Sequence, residues 1–309
     1  MKKNLLAAAA ITFLTMGACI QTGTNHKSIE DQIEGITSND KYVSIVNKSF
    51  DGSSVNAVHA DLVSSDISVI GDAAGQTTVA VFARGRGAES LSKEALNTRL
   101  SKYYEIIVQK NGGQVDIGIR YKRNHVPNNE SLSFKFEVHT GSTVRSDIRT
   151  VSGDIVAGRL ASTKAQSTSG DVELSTINGD VDAGTVSGDI KLDRITGSLS
   201  TNSTSGDIRA TQIGKIGKAG TVSGDIEIDA SGLDGNVALN TVSGDIRLTI
   251  PSKTGADISL SSVSGDLNLA SFSNAEFKTK SKREVEATIN GGGNEIKGST
   301  VSGDITIKN

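Results

Sequence analysis

The chain spells TVSGDI at Thr221–Ile226 and spells it again from Thr150, Thr185, Thr241 and Thr300. Near copies begin at Ser167 (STSGDV), Ser203 (STSGDI) and Ser262 (SVSGDL). The eight central glycines are Gly153, Gly170, Gly188, Gly206, Gly224, Gly244, Gly265 and Gly303, spaced 17, 18, 18, 18, 20, 21 and 38 residues apart. Weaker glycine turns fall between them at Gly179, Gly197, Gly214, Gly235 and Gly255. A half-period of about nine residues therefore sits inside a period of about eighteen.

Apolar positions keep the same clock. Val186, Ile190 and Leu192 recur as Val222, Ile226 and Ile228, then as Val242, Ile246 and Leu248. Lys191, Arg209, Glu227 and Arg247 alternate with them, as on a strand with one inward face. Short strands joined by glycine corners at fixed spacing predict an all-β, parallel β-solenoid with about eighteen residues and two strands per turn. Its turns would stack about 4.8 Å apart, with Ile190, Ile208, Ile226 and Ile246 in one inward column. The narrow core explains why no Phe, Tyr or Trp occurs from Val151 to Ala270. Every SGD corner then falls on one edge and the weaker glycines on the other. Gly tolerates the positive φ of a sharp bend, and Asp accepts backbone N–H bonds in an Asx-type turn. Asp154, Asp171, Asp189, Asp207, Asp225, Asp245, Asp266 and Asp304 are thus expected as a turn-capping edge ladder and a candidate ligand face.

The 309 residues include 34 Gly but only 2 Pro, 7 Phe, 4 Tyr and no Trp, so burial rests on aliphatic side chains. Lys2 and Lys3 precede an uncharged apolar run from Leu5 to Ala18. As a helix that run spans about 21 Å, short of a ~30 Å hydrocarbon core, and residues 1–18 read as a signal peptide. It ends in Met16-Gly17-Ala18-Cys19, and Cys19 is the only cysteine. The stretch resembles the lipobox of bacterial lipoproteins, with Met16 where Leu is usual. That resemblance implies a diacylated Cys19 as the mature N-terminus and, with Ile20 rather than Asp following, sorting to the outer membrane. Residues 19–40 are polar and read as a tether. Without Lys2 and Lys3 the balance is 30 basic against 35 acidic residues, a net of −5, which argues against a nucleic-acid partner. The expected partners are the membrane, through the anchor, and an envelope polysaccharide or a surface protein. No cofactor is expected.

Residues 41–150 read as a β-rich N-terminal capping region with one helix near 91–103. Val63-Ser64-Ser65-Asp66-Ile67-Ser68-Val69 is a decayed repeat unit with Ser65 in the glycine position. Strands are expected at Thr77–Phe82, Tyr104–Gln109, Gln114–Tyr121, Ser131–Val138 and Thr143–Arg149. The repeats occupy 151–309, interrupted near 272–286, with TVSGDITIKN as the final unit. The opening VSSDISV, the FEVHTGSTV leading into the first TVSGDI, the ladder and the GGG-to-TVSGDITI ending together resemble the bacterial "putative adhesin" family. That resemblance, over most of Phe50 to Asn309, implies an exported β-solenoid in the cell envelope. His139-Thr140-Gly141 stands where such chains often carry a proline-glycine turn.

Catalysis finds little footing. Glycosidase chemistry needs two carboxylates in unlike environments, whereas repeat geometry makes the ladder aspartates equivalent. All four histidines, His26, His59, His125 and His139, precede the repeats. A nonapeptide rhythm with Asp beside Gly is similar to calcium-binding β-rolls, but those need GGxGxD spacing, so no metal is expected here. GKIGKAG at 214–220 fails the phosphate-loop pattern. Lys278, Lys280, Lys282 and Arg283 read as a solvated loop. The expectation is a lipid-anchored, adhesin-like binding or structural module, with a carbohydrate-active β-helix enzyme or an envelope-stress sensor as alternatives.

Overall fold

The computed structural model describes residues 42–73, 75–86, 91–272 and 274–309. The signal peptide, Cys19 and the tether lie outside the described residues.

The repeat folds as its periodicity predicts. After each SGD corner a short strand pairs in parallel with its counterpart in the next turn: Val172 faces Ile155 and Ile190, and Ile190, Ile208, Ile226 and Ile246 face one another in succession. All four isoleucines are fully buried, while Lys191, Arg209, Glu227 and Arg247 stand exposed between the inward positions. Strands leading into the corners form the second wall, with Thr163, Val181 and Leu199 in register and Ile216 following. Aliphatic residues from both walls make one continuous core.

One hydrophobic assignment is reversed. The pattern predicts Val186, Val222 and Val242 inward, yet they are 46%, 48% and 45% exposed. The residue before each, Thr185, Thr221 or Thr241, is buried instead. Alternation through Val181 and Ala183 carries Thr185 inward and Val186 out. Hydropathy suggests the opposite phase, and a hydrogen bond described below overrides it.

The order of turns also departs from chain order. Ile305 pairs with Ile246 on one side and with Leu267 on the other. In the second wall Ile296 lies between Val237 and Ile258. TVSGDITIKN is therefore inserted, and SVSGDL is the outer turn. The interruption supplies the mechanism. Glu276–Lys280 and Glu284–Ile289 form a hairpin lying antiparallel on Ala256–Ser264, which returns the chain one turn inward.

The N-terminal end uses the same device. Ser65–Ile70 slots between Ile155–Leu160 and Leu132–His139, and Ala57–Asp61 slots between Arg145–Ser152 and Gln114–Tyr121, all in parallel. The stack thus continues through residue 150 into two earlier turns. Antiparallel strands then end it: Gln76–Gly85 and Val43–Asp51 on one wall, Tyr104–Asn111 on the other. The helix Lys93–Tyr103 starts at Ser92, whose hydroxyl accepts the Ala95 N–H at 3.2 Å, and buries Leu96.

Candidate functional site: the SGD edge and the groove at its end

At each SGD corner the chain leaves the regular ladder, and its backbone groups need other partners. The hexamer provides them. The Thr or Ser at its first position donates its hydroxyl to the glycine carbonyl of the preceding rung: Thr185 to Gly170, Thr221 to Gly206 and Thr241 to Gly224, each at 3.2 Å. Ser167, Ser262 and Thr300 do the same at 3.3 Å. Thr150 donates to the Ser65 carbonyl at 3.4 Å, and Ser203 is buried with an unpaired hydroxyl.

The eight predicted aspartates all lie on this edge, joined by Asp66. Each backbone N–H donates to Oδ1 of the aspartate one rung away, at 2.8–3.1 Å. The order is 66, 154, 171, 189, 207, 225, 245, 304, 266. The capping therefore runs between turns, where an Asx-type turn would have closed each corner on itself. Adjacent carboxylates at rung spacing repel by about 0.9 kcal/mol in bulk water. A hydrogen bond to a charged acceptor contributes about 1.5–3 kcal/mol, so the ladder is net favourable. Arginines relieve it further: Arg209 Nη2 lies 2.7 Å from Asp207 and Nη1 3.8 Å from Asp189, and Arg247 bridges Asp245 and Asp225 at 2.7 and 3.9 Å.

Space, more than bend geometry, selects the glycines. A Cβ on Gly206 would sit 2.0 Å from the Gly188 carbonyl oxygen, and all eight SGD glycines meet such an oxygen at 1.9–2.2 Å. Five of them also hold φ between 149° and 158°. Ser65 occupies the glycine position of its own rung because the residue beyond it is Phe134 of a regular strand rather than another corner. The decayed repeat unit is thus the first rung, freed from the contact that requires glycine.

Beside this rung opens a groove of about 750 Å³. Its lining joins Ser65, Asp66 and Ser152 of the edge to Tyr42, Arg84, Arg86, Tyr104, Tyr121 and Arg123, with His125 among the loop residues. Arg84 lies 4.6 Å over the Tyr42 ring. Burial pushes the Asp66 carboxyl above its ordinary range, against the opposing pull of the Asp154 N–H, although the side chain still reaches solvent. Nothing in the sequence marks this groove, because its residues come from segments far apart in the chain. The inward Thr/Ser column did carry a signal: every hexamer begins with a hydroxyl residue. Of the other histidines, His139 contacts Asp72 at 2.9 Å and His59 lies 3.9 Å from Asp147. His26 lies outside the described residues. Lys278 approaches Asp257 at 4.0 Å, and Lys280 covers Phe277 on the C-terminal hairpin.

A stack of parallel two-strand turns, coupled along one edge by side chains and closed by antiparallel strands, is a repeat β-solenoid. The chain belongs to the Toastrack DUF4097 family, whose sequence model matches residues 36–217 and again 210–308. Similar solved structures include a "putative adhesin" from Bacteroides fragilis, 14% identical, with TM-score 0.42 and coverage of 85% of this chain and 96% of that one. A "putative lipid binding protein" from Parabacteroides distasonis is 13% identical, with TM-score 0.31 and the same coverage. A "putative cell adhesion protein" from Clostridium sporogenes is 12% identical, with TM-score 0.28 and coverage of 85% and 97%. No curated protein matches the chain.

Proposed function

We propose that the protein is a lipid-anchored module of the bacterial envelope, held at the outer membrane through Cys19, that binds or scaffolds without catalysing a reaction. The observation that carries this reading is the commitment of the edge carboxylates. All but the outermost, Asp266, hold a neighbouring rung's N–H, and along the repeats, from Asp154 to Asp304, they do so in similar settings, whereas acid-base hydrolysis depends on two carboxylates held at different pKa values. Such an edge spends its charge on the stack and makes a stiff spacer. The lipobox resemblance at Met16–Cys19 supports the anchor, and the polar run to residue 40 would hold the solenoid off the bilayer.

The test is Cys19→Ser. Lipid labelling should disappear, and the protein should move from the membrane fraction to the soluble periplasmic or culture fraction. A variant that loses its signal peptide and still sediments with membrane overturns the anchor.

A further inference from the structure

We propose that the groove at the N-terminal end of the SGD edge binds an acidic saccharide, a pyranose carrying a carboxylate or phosphate within an envelope glycan. The inference rests on the reading of the chain as an envelope binding module and adds the ligand class and its place.

Charge is the first reason. Arg84, Arg86 and Arg123 line the groove, and Asp66 is its one acidic lining residue among the described residues. That carboxylate already accepts the Asp154 N–H. Arg86 and Arg123 are exposed and make no ion pair with another described residue, and Arg123 lies 5.7 Å from the Tyr103 ring, so two guanidinium forks line the groove. A planar fork suits the paired oxygens of a carboxylate or phosphate.

The second reason is a fixed aromatic face. Tyr121 is 42% exposed, and its ring centroid lies 5.4 Å from that of Tyr104. Tyr104 is buried and pinned: its hydroxyl accepts the Leu132 N–H at 3.1 Å, and its ring meets Phe134 edge-on at 5.0 Å. A half-open ring on an immobile support offers the C–H face of a sugar a platform with little ordering cost. Aromatics are absent from Val151 to Ala270, and most of them lie N-terminal to that stretch.

Together, the cationic forks and the aromatic platform describe a polyhydroxylated ring with a negative substituent.

The experiment is isothermal titration of the mature chain carrying Cys19→Ser, which keeps it soluble. The probes are oligogalacturonate, mannose 6-phosphate, neutral maltooligosaccharide, inorganic phosphate and phosphatidylglycerol vesicles. At least one of the two acidic sugars should bind, about tenfold or more tighter than the neutral oligosaccharide, and the preferred one separates carboxylate from phosphate recognition. Arg86→Gln with Arg123→Gln should weaken that binding about tenfold and flatten its salt dependence. Tyr121→Ala should weaken it about fivefold, whereas Tyr121→Phe should retain it. These side chains are exposed, and an unchanged unfolding midpoint will confirm that each variant is folded. The proposal is overturned if neither acidic sugar binds, if the neutral one binds equally, or if the arginine pair makes no difference. Equal or tighter binding of inorganic phosphate alone or of vesicles overturns it as well. Fractionation of Cys19→Ser tests the anchor separately, so an empty titration with a released protein would refute the groove and spare the envelope reading.

Discussion

The solenoid turns its chain at two edges, with the same beat and by different means. On the SGD edge each rung completes its neighbours: a hydroxyl answers one rung's glycine carbonyl, and a carboxylate answers another rung's aspartate N–H. On the opposite edge Arg159, Thr176, Arg194 and Gln212 hold φ of 54–55°, a left-handed turn made by residues other than glycine. Glycine crowding there is uneven. A Cβ would meet backbone at 2.2 Å from Gly197 and only at 3.2 Å from Gly214. Links between rungs occur there too, as where Asp180 accepts the Ser198 N–H at 2.8 Å, but they do not recur at every turn, and such corners can vary from rung to rung. A corner that completes its neighbours must match them, which is why one edge is spelled nearly alike eight times.

The largest test of this difference is steric. Gly206→Ala places a methyl 2.0 Å from the Gly188 carbonyl oxygen and should cost about 3–5 kcal/mol or prevent folding. Gly214→Ala should cost about 1 kcal/mol or less. Urea unfolding of the two variants decides it, and equal losses would erase the distinction between the edges.

Next in size is the ladder. Asp207→Ala leaves the Asp225 N–H without its acceptor and should cost about 1.5–3 kcal/mol. Asp207→Asn keeps an acceptor and gives up mainly the exposed Arg209 pair, so its cost should stay below about 1 kcal/mol. If the carboxylates serve the backbone, thermal midpoints with chelator and with millimolar calcium should coincide. A midpoint raised by tens of degrees in calcium would make the edge a metal site.

The hydroxyl column gives a finer comparison within one edge. Thr221→Val should cost about 1 kcal/mol through the unpaired Gly206 carbonyl. Ser203→Val should be neutral or slightly stabilising, since that hydroxyl is buried without a partner. A smaller effect belongs to the opposite edge. Gln212→Gly relieves a left-handed φ of 55° and should raise stability by up to about 1 kcal/mol, the gain being offset in part by glycine's greater entropy in the unfolded chain. A loss would mean that the Gln212 side chain holds its corner.

The sequence was most legible where local rules repeat. Ile190, Ile208, Ile226 and Ile246 recur with their turns and do stand in one buried column. It misled where two local rules compete. Val222 looks like core beside Thr221, yet Thr221 goes inward because the Gly206 carbonyl needs its hydroxyl, and Val222 is left outside. The groove was illegible, since Arg86, Tyr121 and Ser65 come from strands and loops that only folding brings together.

What the sequence determined by itself was therefore the repeating unit: its period, its strands, its inward isoleucines and the gathering of its aspartates on one edge. These follow from alternation and corner chemistry, which act over a few residues. The tertiary structure alone decided the order of the turns, with Asp304 seated between Asp245 and Asp266 and Ser65–Ile70 inserted between later strands. Nearly identical units make nearly equivalent neighbours, so no local preference ranks one pairing above another. The choice fell to the hairpin Glu276–Ile289 and the antiparallel closures, which fix where the chain can re-enter the stack.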